Sequence, residues 1–105
     1  MSEIVIERDP SAEEYAKIII EGCAAAFGEN EQFVVIGEAV TKTGRPITHE
    51  LDIHATVYDI QGRLVGRGST YLDSFGIRQS FEILIELLGE NKVPAKVRVF
   101  PTKNE

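Results

Sequence analysis

The stretch Ala55-Thr56-Val57-Tyr58-Asp59-Ile60-Gln61-Gly62-Arg63-Leu64-Val65-Gly66 decides the fold class of this 105-residue chain. Apolar and polar residues alternate up to Tyr58, the chain reverses over Asp59-Ile60-Gln61-Gly62, and a second extended run starts at Arg63. A period of two marks a half-buried strand, because successive side chains point to opposite faces of a sheet. Aspartate bonds back to turn backbone and glycine tolerates a positive φ, so the four residues between the runs predict a tight reversal. Upstream, the same pattern puts His49, Leu51, Ile53, Ala55 and Val57 on a core face and Glu50, Asp52, His54, Thr56 and Tyr58 on the other.

Outward from this hairpin, Ile4-Val5-Ile6 reads as a first strand, closed by Arg8-Asp9-Pro10-Ser11. Ser11-Ala12-Glu13-Glu14 has capping-box spacing, yet Ile18-Ile19-Ile20 is β-branched and Gly22 breaks the helical period. The expectation is at most one helical turn, then a strand over about 17–26. Gln32 to Val40 is apolar on both faces and suits a central strand. Residues 41–46 are a loop, and 63–72 form the partner of the hairpin.

Residues 80–88 fit two periods. Phe81, Leu84, Ile85 and Leu88 make a helix stripe, whereas Phe81, Ile83, Ile85 and Leu87 make a strand face. Neighbouring strands at short, regular spacing favour the strand. Ala95, Val97 and Val99 alternate in a last strand stopped by Pro101, leaving 101–105 as a frayed tail. The predicted architecture is all-β: one domain over 1–105, an antiparallel β-sandwich of about seven strands.

Composition bounds the function. A hydrophobic fraction of 43% in a chain of this length supports a single core. A net charge of −6 repels a phosphate backbone, so nucleic acid is excluded as a partner. Lys92, Lys96 and Arg98, the densest basic group, read as a solvated strand face. Cys23 is the single cysteine, which excludes an intrachain disulfide and a cysteine-rich zinc site. No apolar run reaches the roughly 20 residues of a membrane helix, so membrane insertion is not expected. Met1-Ser2-Glu3-Ile4 lacks the features of a signal peptide. That points to the cytoplasm, or to the cell surface or secreted space if a leader has been removed.

Phe33-Val34-Val35-Ile36-Gly37-Glu38-Ala39-Val40, a loop, Ala55-Thr56-Val57-Tyr58-Asp59 with Gly62 and Gly66, and then Phe81-Glu82-Ile83 resemble the FxLYD domain family in order and spacing. The resemblance covers about 17–100, with an N-terminal strand and turn over 3–16 outside it. The name motif falls on 55–59, where Tyr58 and Asp59 are retained, while Ala55 stands in place of Phe and Val57 in place of Leu. The resemblance implies an immunoglobulin-like sandwich of the kind found in bacterial and archaeal surface or secreted proteins. It brings no catalytic residues with it.

Among candidate sites, Glu50, Asp52 and His54 lie at i, i+2, i+4 on one strand face and offer oxygen and imidazole donors for a metal. Asp73-Ser74 lacks the surroundings of an activated nucleophile, and no residue set supports an enzyme or a cofactor. Tyr71 and Phe75 are the candidate interaction residues, an aromatic pair by an end loop. The reading is a non-enzymatic interaction or structural module that binds another protein, or a second copy, through an edge strand or end loops. The alternative is a small-ligand or metal-binding sandwich that uses Glu50, Asp52 and His54.

Overall fold

In a computed structural model, residues 4–29, 32–89 and 93–104 are described, and the hairpin stands where the alternation puts it. Strand β4 (Glu50–Tyr58) buries Leu51, Ile53, Ala55 and Val57 completely. It pairs antiparallel with β5 (Leu64–Leu72). In the turn, Asp59 Oδ1 accepts from the backbone N–H groups of Gln61 and Arg63, both at 2.9 Å. Gly62 takes a φ of +82° there.

The remaining elements are β1 (Val5–Arg8), α1 (Pro10–Ala16), β2 (Ile18–Phe27), β3 (Phe33–Thr41), β6 (Arg78–Leu87) and β7 (Lys96–Asn104). The fold is thus all-β, with seven strands and one short helix. Residues 80–88 belong mostly to strand β6, with Phe81, Ile83 and Ile85 buried and Glu82, Leu84 and Glu86 facing out. The strands run β1-β7-β4-β5-β6-β3-β2 in one mixed sheet. Its two halves face each other across a shared core that includes Phe33, Ile18, Ile20, Leu51, Ile53 and Ile83.

The halves join at β5 and β6, in register at Gly66↔Leu87 and Arg67↔Glu86. A Cβ on Gly66 would lie 2.9 Å from Leu87 Cδ2, and one on Gly68 would lie 2.4 Å from the Leu84 carbonyl oxygen. The corner therefore exists because two side chains are missing, which lets one backbone cross closely over the other.

Three expectations are corrected. Pairing is not wholly antiparallel: β1 runs parallel to β7, with Val5 opposite Lys96 and Arg8 opposite Val99. In that direction β1 hands the chain to α1, which packs against β7 and β2 and delivers β2 to the far end of the sheet. The helix is also longer than one turn. Its cap is Asp9, whose Oδ1 accepts from the Ala12 N–H at 3.1 Å, with Pro10 opening the first turn. Lys17, in the left-handed region at φ 65°, ends it. Finally, residues 101–104 are not frayed, because β7 continues through them against β4 and Pro101 is buried opposite Ile53. β1 pairs only as far as Val99, so Pro101 sits where β7 has an open side that tolerates a proline.

Candidate interaction surface

Strand β2 ends the sheet order, and the bulge between Glu21 and Ala24 divides its outer edge into two unlike halves. The first half is closed by side chains. The Ile20 N–H donates to Glu13 Oε2 at 2.8 Å, and the Ile20 carbonyl accepts from Arg8 Nη1 at 3.3 Å. Glu13 is only 3% exposed, and its Oε2 lies 3.6 Å from Arg8 Nη1. A carboxylate and a guanidinium thus stand in for the missing strand, one as acceptor and one as donor, and neutralise each other.

Both Ile20 groups point away from β3, so even-numbered residues face outward before the bulge. Gly22, at φ +62°, takes the irregular backbone, and one extra residue reverses the parity. Beyond it the Gly28 N–H donates to the Gln32 carbonyl at 2.7 Å, which sets Ala24, Ala26 and Gly28 toward β3. Ala25 and Phe27, with the Cys23 carbonyl that precedes Ala24, therefore turn their backbone groups to the open edge. Among the described residues nothing bonds them there. The segment Cys23-Ala24-Ala25-Ala26-Phe27 carries no charge and no proline, the usual guards of an exposed edge.

The outer face beside this edge is apolar. Ala24 and Ala26 are exposed and lie opposite Ile36 and Val34, and Leu84 lies opposite Val34 on β6. Ile36 is 48% exposed and Leu84 57%, while Phe27 lies on the opposite face of β2, its ring edge-on to buried Phe33 at 5.0 Å. By contrast β1, at the other end of the sheet order, is four residues long and carries Glu7, paired with Lys96 at 3.4 Å. Burial pushes the Cys23 thiol up to about 11, which favours the protonated thiol at neutral pH.

The candidates read from the sequence lie elsewhere. Glu50, Asp52 and His54 share the outer face of β4, as expected, but do not converge. Among the described residues no three His, Cys, Asp or Glu side chains form a metal-holding group. His54 Nε2 is instead 2.8 Å from Thr102 Oγ1, and its ring stacks on Phe100 at 5.2 Å. A surface depression of about 290 Å³ beside it is lined by Thr56, Arg67, Ser69 and Glu86, with both charge signs present.

Tyr71 is exposed, but Glu50 accepts its hydroxyl hydrogen bond; with desolvation and the nearby Asp73, this pushes its pKa up to about 12. Phe75 packs on the core, and its backbone exchanges hydrogen bonds with Ile47 at 2.9 and 3.1 Å, so it anchors the loop. Of the basic group, Lys96 pairs with Glu7 and Arg98 with Asp9 at 2.6 Å, while Lys92 lies outside the described residues. Arg8, Glu13 and the open edge were not singled out by sequence reasoning. The available signal was an uncharged run, Cys23 to Phe27, inside a strand. No protein-family model, curated protein or solved structure matches the chain.

Proposed function

We propose that the protein is a non-enzymatic interaction module that binds by adding an extended segment of another polypeptide to the open half of β2. One observation carries this reading: the fold uses two charged side chains to close the edge at Ile20 and leaves Ala25 and Phe27 open a few residues on. An uncharged edge beside exposed Ile36 and Leu84 supplies main-chain bonding and an apolar platform together. Membership of the FxLYD family is part of the same proposal. It is supported by the buried positions of Ala55 and Val57, by the turn that Asp59 and Gly62 build after Tyr58, and by the corner at Gly66.

The test is Ala25→Pro, which removes an outward N–H and leaves the bonds to β3 in place. Proteins captured from native extract by the original chain are expected to be lost by the folded variant. An unchanged set of captured proteins overturns the proposal.

A further inference from the structure

Resting on that reading, we infer that the strand added to β2 is basic, with apolar side chains on its inner face and Lys or Arg on its outer face. The two faces beside the open edge differ in chemistry. On the inner face, Cys23 and Ala25 pack against the core and Phe27 lies edge-on to Phe33. At the start of the open half, a surface depression of about 400 Å³ is lined by Ile6, Ile20 and Cys23, with Arg8, Glu21 and Gly22 around them. An inward apolar side chain of the added strand fits that depression, and the next one along shields half-exposed Phe27.

The outer face calls for positive charge. Ala24 and Ala26 lead from the edge to Ile36 and Val34, and carboxylates border this apolar patch. Glu82 lies opposite Ile36 on β6, is exposed, and has no ion pair among the described residues. Glu21 lies opposite Glu38, and the two share one guanidinium, that of Arg78, at 3.6 and 2.9 Å. Three carboxylates thus face one cation there, and exposed Glu29 follows Gly28 at the other end of the edge. A Lys or Arg on the outer face of the added strand lays its aliphatic stem over the two small alanines and carries its charge toward Glu38 or Glu82. The same carboxylates, on a chain of net charge −6, repel an acidic strand, a second copy of this chain included.

The probes are three octapeptides in which Val alternates with Lys, with Thr or with Glu. Each is titrated into the full chain to about 1 mM, the range of a small, weak interface, and followed by amide NMR shifts. The Lys peptide is expected to shift the Ala25 and Phe27 amides, to slow their exchange, and to bind about tenfold tighter than the Glu peptide, with the Thr peptide between them. That advantage shrinks as salt rises from about 20 to about 300 mM. Glu82→Lys, on β6 and away from the edge backbone, removes most of it. Asp73→Lys makes the same change in net charge beyond the far end of β5 and leaves most of it in place. Ala25→Pro abolishes binding of all three, with the fold of every variant checked by circular dichroism.

No binding of the Lys peptide, or equal binding of the Lys and Glu peptides, overturns the basic partner; the edge reading then stands or falls on whether Ala25→Pro changes the captured proteins. Lys-peptide binding that a folded Ala25→Pro leaves intact, or that Asp73→Lys weakens as much as Glu82→Lys, reflects net charge alone and overturns it as well.

Discussion

Removing the Glu13 carboxylate strips the β2 edge of its built-in cover. In Glu13→Ala the Ile20 N–H loses a 2.8 Å acceptor in a site where Glu13 is 3% exposed, and Arg8 loses its counter-charge. A hydrogen bond to a charged group contributes about 1.5–3 kcal/mol, and a buried donor left unpaired costs a comparable amount. Arg8 is half-exposed, so its share of the ion pair is discounted. Alanine is the better helix former by a few tenths of a kcal/mol, a small offset. The net expectation is a loss of about 2 kcal/mol. For a domain of this size that lowers Tm by roughly 8–16 °C, or the urea midpoint by about 1 M. Glu13→Gln keeps a carbonyl oxygen for the Ile20 N–H and is expected to cost about half as much. Urea unfolding followed by circular dichroism, with amide exchange read at Ile20, measures both. A Glu13→Ala midpoint within about 0.5 kcal/mol of the original, or a Glu13→Gln as damaging as Glu13→Ala, refutes the reasoning.

Gly68→Ala puts a methyl group 2.4 Å from the Leu84 carbonyl oxygen and is expected to destabilise by about 3 kcal/mol, measured by the same unfolding curves; a neutral effect there would mean that the corner is not close-packed. Cys23, with its thiol near 11, is expected to react with iodoacetamide at pH 8 far more slowly in the folded chain than in urea, and equal rates contradict its burial. The Asp59 carboxyl is held below the ordinary aspartate value, first by the Arg63 N–H, so its contribution is present above about pH 4 and fades as pH falls through the lower folded value. Asp59→Asn should therefore lower stability at pH 7 and much less at pH 2; an equal loss at both pH values counts against a charged turn.

What the sequence made legible was local. Alternation through Leu51, Ile53, Ala55 and Val57 located β4, and Asp59 with Gly62 located the turn, because strand faces and turn chemistry are set within a few residues. The rest depended on partners far along the chain. Glu13 reads as a helix-surface glutamate until β2 is known to bring Ile20 against it. Leu84 fed the helical stripe in 80–88 because an exposed leucine on a strand is indistinguishable from a buried one on a helix until the outer face of β3 and β6 is seen. Pro101 reads as a strand stop, and only the end of β1 at Arg8 frees the side of β7 it occupies. The metal candidates illustrate the converse. Their spacing was read correctly, but one strand face holds them side by side, and among the described residues no further His, Cys, Asp or Glu joins them in a metal-holding group.

The parallel ladder between β1 and β7 joins the first strand of the chain to the last. During synthesis, Val5–Arg8 emerge early and have no ladder to join until Lys96–Val99 have left the ribosome. The Arg8 clasp on Ile20 waits with them. Assembly is therefore finished from its two ends at once, a high-contact-order closure expected to take milliseconds to seconds. Until that closure, the Ile20 carbonyl is as bare as the Ala25 backbone is in the finished protein.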